Sequence, residues 1–92
     1  MFNYFRNRKI RNIFSRFPSI DYTDKRWLIK DLKVREDRLR STLHLHRSIE
    51  SSLIADRIVL IDQAINILVS DNYKDNLEEC MTIRMVYESI LK

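Results

Sequence analysis

Residues 53–69, LIADRIVLIDQAINILV, are the apolar centre of the chain. Its large aliphatic side chains recur at alternating steps of four and three residues. This spacing places them on one helix face, as in helical bundles and coiled coils. We therefore predict a core helix here, with a seam that also serves as an association surface, formed by Ile54, Ile58, Ile61, Ile65 and Leu68.

Glycine is absent from all 92 residues, and Pro18 is the only proline. Phosphate-binding loops, dinucleotide-binding fingerprints and the tight turns of most β-hairpins depend on glycine. These absences weigh against nucleotide-binding enzymes and antiparallel sheets. The length fits one domain, and we predict an all-α fold.

The segment before the apolar centre also reads as helical, beginning near an N-cap at Ser19 or Thr23. Its charged pairs at i,i+4, such as Asp31 with Arg35, are interpreted as a solvated face. Two arrangements remain open. A turn near residues 48–52 would give a helical hairpin within a three- to four-helix bundle, which we favour. One continuous central helix would instead require an oligomeric coiled coil.

The first 18 residues predict an amphipathic arm helix that precedes a helical core domain at 19–92. Five of the nine aromatic residues lie in the first 17 positions, a density unusual for a solvated tail. Arg6 falls among the apolar residues of this helix. Because aromatic side chains dominate interface hot spots, we expect the partner-binding residues of the arm to be Phe2, Tyr4, Phe5, Phe14 and Phe17.

The last helix is predicted to begin after a loop at residues 70–75. Asn76 is its expected N-cap, and Glu79 completes a pattern that resembles a capping box. From Leu77 to Leu91 the helix is apolar over a wide arc. Such a helix requires burial on two sides, which a small monomer rarely supplies. The pattern therefore favours a homo-oligomer or docking on a larger protein complex.

Charge is divided along the chain. Residues 1–47 hold 13 Lys and Arg against five Asp and Glu, whereas residues 48–92 hold four against eight. A basic half predicts a polyanionic partner such as nucleic acid, or an anionic membrane surface as a weaker option. Pairing of the two halves within the chain is the alternative. The candidate polyanion-binding residues are Arg6, Arg8, Lys9, Arg11, Arg16, Lys25, Arg26, Lys30 and Lys33.

Catalytic chemistry has little support in the sequence. His44 and His46 would point to opposite sides of a helix and cannot chelate one metal ion. Cys80 lies on the apolar arc of the last helix and is read as a buried thiol. We predict no catalytic residue, metal, cofactor or small-molecule substrate, and a single cysteine favours an intracellular, cytoplasmic setting. The expected function is protein–protein interaction as an adaptor, inhibitor or assembly subunit, with nucleic-acid-binding regulation as the alternative.

Overall fold

The computed structural model describes residues 2–43 and 49–91, with side chains for 5–43, 52–71 and 73–91. Within these ranges the chain is helical and contains no strand, so the predicted all-α class is confirmed. The elements are α1 (Phe2–Ser15), α2 (Tyr22–Leu43), α3 (Ile49–Ser70), a 3₁₀ helix (Asn72–Lys74) and α4 (Leu77–Ile90).

Helices α2 and α3 lie side by side and antiparallel. Lys25, near the start of α2, pairs with Asp71 just beyond the end of α3, at 3.2 Å between Nζ and Oδ1. In one continuous helix these residues would be about 69 Å apart. The hairpin is therefore the observed arrangement. Residues 49–52, predicted to belong to the turn, are helical and form the start of α3, and residues 44–48 lie outside the described residues.

One hydrophobic core joins all four α-helices. It continues into α1, so the predicted boundary at residue 18 separates elements along the chain but does not separate two packing units. The core cluster comprises Ile10, Ile13, Phe17 and Ile20, then Leu28 and Leu32, then Ile61, Ala64, Ile65 and Leu68, and finally Tyr73, Cys80, Ile83, Val86 and Tyr87.

The seam predicted on α3 faces the interior of this single chain. Ile58, Ile61, Ile65 and Leu68 are buried, and Ile54 is half-buried. An association role for the four buried residues is therefore corrected, because the other helices of the same chain already cover them.

Side-chain caps determine where two helices begin. Asp21, not Ser19 or Thr23, caps α2, since its Oδ1 accepts a hydrogen bond of 2.8 Å from the backbone N–H of Asp24. Asn76 caps α4 as predicted, with its Oδ1 accepting from the N–H of Glu79 at 3.1 Å. Both caps satisfy backbone donors that the first helical turn leaves without partners.

Candidate interaction surfaces

A buried carboxylate lies between α1, α2 and α4. Asp31 on α2 is fully buried, and its two oxygens accept from two arginines. Arg6 Nε on α1 is 2.9 Å from Oδ1, and Arg35 Nε is 2.9 Å from Oδ2. The Tyr87 hydroxyl on α4 lies 3.5 Å from Oδ2 and donates to the carbonyl oxygen of Leu28 at 3.2 Å. Asn7 extends the cluster by accepting from Arg35 Nη2 at 2.6 Å.

This Asp31 cluster corrects two predictions. The Asp31–Arg35 pair is not part of a solvated face. Arg6, predicted to bind a polyanion, is turned inward at 14% side-chain exposure and is not a surface phosphate contact. A buried charge is tolerated only when it is paired and hydrogen-bonded. The cluster therefore fixes the positions of three helices relative to each other.

Burial raises the pKa of the Tyr87 hydroxyl well above its ordinary value, and the nearby Asp31 carboxylate raises it further, although Arg35 opposes this. Tyr87 is thus a neutral hydrogen-bond donor in the folded protein. The cluster is enclosed by the core, and its polar groups are directed at one another. Its arrangement supports a structural role.

The aromatic residues predicted to anchor a partner differ in their burial. Phe17 is buried at 3% exposure, and Phe14 stacks on it at 5.4 Å between ring centroids. Both belong to the chain's own packing, which corrects their assignment as anchors. Phe5 is 69% exposed. The side chains of Phe2 and Tyr4 lie outside the described residues, as do His44 and His46.

Four of the nine candidate polyanion-binding residues, Arg6, Arg11, Arg16 and Lys25, form hydrogen bonds or ion pairs within the molecule. Besides Arg6, Arg11 donates to the carbonyl oxygen of Leu91 at 2.7 Å, and Arg16 Nη1 lies 3.1 Å from Asp24 Oδ2. Lys25 pairs with Asp71 across the hairpin, and Arg40 Nη2 lies 3.3 Å from Asp62 Oδ2. Part of the charge division along the sequence is therefore compensated inside the fold.

Four other basic side chains share the outer side of α2. Arg26, Lys30 and Lys33 are exposed, and they line a shallow groove of about 790 Å³ with Tyr22 and Trp27. Lys9 of α1 joins them, because its Nζ lies 3.8 Å above the Trp27 ring. We name Lys9, Arg26, Lys30 and Lys33 the basic face. Arg8 is also exposed but does not line this groove.

A second groove, of about 590 Å³, runs between α2, α3 and α4. Its apolar side chains include one exposed residue from each of α3 and α4, Leu60 and Met85, at 48% and 67% exposure. Each of the three helices also contributes two polar or charged side chains to its lining. We name it the apolar groove; it is lined by Leu39, Leu60, Ile61, Met85, Val86 and Ile90, by Arg35, Arg38 and Arg57, and by Gln63, Thr82 and Ser89.

An exposed row of apolar side chains leads along α4 into this groove. Leu77, Met81 and Met85 are spaced by four residues and are 75%, 53% and 67% exposed. We name these three residues the apolar stripe. Since residues at i and i+4 are neighbours on a helix surface, the apolar stripe is continuous. The opposite side of α4, with Cys80, is buried in the core, as predicted for that thiol.

Glu36 on α2 and Asp62 on α3 form a close pair of carboxyl groups where the two helices meet. A hydrogen bond with Asp62 raises the pKa of Glu36, burial and the charge of Asp62 add to the rise, and Arg40 opposes it. Arg40 contacts both acids, at 3.4 Å from Glu36 and 3.3 Å from Asp62. The three side chains tie α2 to α3.

Within the described residues, no group of three or more His, Cys, Asp or Glu side chains could hold a metal ion. No helix there is long and apolar enough to cross a membrane. No protein-family model matches the chain, and no curated protein and no solved structure is significantly similar to it.

Proposed function

We propose that this chain is a small non-enzymatic helical protein that acts by binding another protein, through the apolar groove and the apolar stripe. The observation that carries the proposal is the contact between these two surfaces at Met85, which belongs to both. Together they form one apolar region with arginines along one side. Contiguous exposed apolar surface of this kind marks interaction sites.

The composition of the region suits protein recognition. Methionine side chains are flexible and polarizable, so they adapt to irregular partner surfaces. Leu60 and the apolar stripe expose apolar surface to water until a partner covers it, and each Å² of that surface covered stabilises the complex by about 25 cal/mol. The exposed Arg57 adds hydrogen-bond donors that favour a carboxylate-bearing partner.

The test is native affinity purification of the full-length tagged chain from cells that produce it. The wild type is compared with Met85→Lys, which places a charge where groove and stripe meet. Val69→Lys is the matched control, because Val69 is 60% exposed on α3 and does not line the groove. We expect a stoichiometric partner, which is a second protein or an untagged copy of this chain, with wild type and Val69→Lys but not with Met85→Lys. Equal recovery by all three variants contradicts the proposal.

Nucleic-acid binding is a second candidate, favoured by the basic face. Its four cations surround Trp27 and the exposed Tyr22, an arrangement of charge and aromatic rings suited to polyanions. If all four contact phosphates, log affinity falls with log salt at a slope of about −3.6 on duplex DNA. We expect Lys30→Ala to reduce that slope by about 0.9 and exposed Arg8→Ala to leave it unchanged. A salt-independent affinity would exclude this function.

The packing of α1 does not support its binding to an anionic membrane surface. An interfacial helix embeds its apolar face in the lipid headgroup region. In α1 that face includes Ile10 and Ile13, which are buried in the core of the protein.

A further inference from the structure

We propose that the protein partner is a second copy of this chain, and that two copies pack α4 against α4 in antiparallel orientation, each placing its apolar stripe across the other's apolar groove. This inference rests on the proposed function and names its partner. It concerns the described side chains of α4 and the groove beside it.

The apolar part of the arrangement is self-complementary. Met85 lies in the groove and also ends the stripe. A two-fold axis between Met81 and Met85 would therefore bring the same surface together on both copies, which is the defining property of an isologous interface. Antiparallel packing about this axis sets residue 81 of one copy opposite residue 85 of the other, and residue 77 opposite residue 89.

The distribution of charge on each copy favours the antiparallel orientation of the two α4 helices. Helix α4 begins with two glutamates, Glu78 and Glu79, of which Glu78 is exposed. Near its other end, Ser89 and Ile90 line the groove together with the exposed Arg57. In the antiparallel arrangement the acidic beginning of one α4 approaches the arginine-lined end of the groove in the other copy. The two-fold axis generates this Glu78–Arg57 approach twice.

A parallel arrangement of the same helices loses this match. It would move Glu78 of each copy away from the Arg57 end of the other copy's groove and towards the glutamates at the start of the other α4, and like charges in an interface oppose association. In the antiparallel arrangement the exposed Glu88 lies at the level of Glu78 of the other copy, but on the opposite side of the apolar stripe. The chain thus carries both an apolar, arginine-lined groove and a helix with the apolar stripe and acidic end that fit it. A foreign acidic amphipathic helix would share this chemistry, and the experiment separates the two partners.

The experiment is sedimentation equilibrium of the full chain over a wide concentration range. We expect the mass to rise from the monomer value of 11.2 kDa to twice that value. Met85→Lys should stay monomeric, whereas Val69→Lys should dimerise like the wild type. Far-UV circular dichroism and urea unfolding establish that each variant is folded.

Charge reversal tests the antiparallel pairing itself. Arg57→Glu and Glu78→Arg each remove two exposed pairs, so each should raise the dimer Kd about five- to thirty-fold. Both substitutions in one chain restore opposite charges and should return the Kd to near the wild-type value. If the double variant associates no better than the single variants, the antiparallel pairing is wrong.

The outcomes also separate this inference from the proposed function. A wild-type chain that remains monomeric at every concentration overturns self-association. If purification then still recovers another protein in a Met85-dependent manner, the apolar region binds a foreign partner and the proposed function stands. If neither a dimer nor a Met85-dependent partner is found, both proposals are wrong.

Discussion

Replacing Asp31 with Asn should be among the most damaging isosteric changes in this protein. Asp31 is fully buried, and each carboxylate oxygen accepts from an arginine Nε at 2.9 Å. Asn keeps the shape but removes the charge, and its NH₂ group must face a guanidinium donor. Arg6 and Arg35 are then left as two neighbouring positive charges with side-chain exposures of only 14% and 20%.

Breaking a buried ion pair by removing one partner costs about 3–5 kcal/mol. A domain of this length has a total stability of about 5–14 kcal/mol, so Asp31→Asn removes about a fifth of it or more. With an m-value of about 1 kcal/mol/M, the urea midpoint should fall by about 3–5 M. Urea unfolding followed by circular dichroism at neutral pH measures this change.

Two further variants make the result decisive. Asp37→Asn makes the same chemical change at an exposed position of α2 and should stay within about 0.5 kcal/mol of the wild type. The combination Arg6→Met, Asp31→Leu and Arg35→Met removes every buried charge of the cluster, and we expect it to recover most of the lost stability. A loss below about 1 kcal/mol for Asp31→Asn would refute the role assigned to the cluster.

Three other predictions concern the fold. Because burial raises the Tyr87 pKa, the Tyr87 hydroxyl loses its proton near pH 10 in the unfolded chain but keeps it in the folded protein, so the free energy of unfolding should fall above pH 10. Urea unfolding at pH 8–11 measures this fall. If the free energy of unfolding falls as steeply in Tyr87→Phe as in the wild type, the prediction is wrong. Asn76→Ala should cost about 1 kcal/mol by removing the cap of α4, whereas Asn66→Ala on the exposed side of α3 should cost nothing; equal effects in thermal melts would argue against the cap. Ile83→Ala should lower the free energy of unfolding by about 2–5 kcal/mol because Ile83 is fully buried. Met81→Ala, at an exposed position, should leave the stability of the monomer nearly unchanged. If both variants lose similar stability, α4 buries a different side.

The helices themselves were predictable from local chemistry. Periodic apolar residues identified α3, and the Asn76 cap located the start of α4, because both signals act within a few residues of each other. The N-cap of α2 was misplaced, since Ser19, Asp21 and Thr23 are all competent caps. Only the fold decides which of them meets the first helical turn.

The Asp31 cluster was missed for a different reason. An i,i+4 pair such as Asp31 and Arg35 has the same spacing on a solvated and on a buried face. The available signal was the placement of opposite charges on two apolar faces, with Arg6 among the apolar residues of α1 and Asp31 between Leu28 and Leu32. Recognising their contact requires knowing that α1 packs on α2, and local periodicity carries no such information.

The aromatic residues at the beginning of the chain show a related limit. Their density indicates burial but not what buries them. Phe14 and Phe17 pack against Tyr87 and Tyr73 of the same chain, at 5.1 Å and 5.3 Å between centroids. Exposed apolar side chains instead lie on α4, as the apolar stripe, and on α3, at Leu53, Val59, Leu60 and Val69. The wide apolar arc predicted on α4 required two covered sides, and the chain itself covers only one of them.

Site-specific photo-cross-linking reports which surface of the intact protein meets a partner in the cell. A benzophenone side chain is placed at position 85 in the region where groove and stripe meet, and at position 69 as the exposed control. We expect one discrete cross-linked product from position 85 and none from position 69. Cross-linking from both positions alike, or from neither, would contradict this expectation.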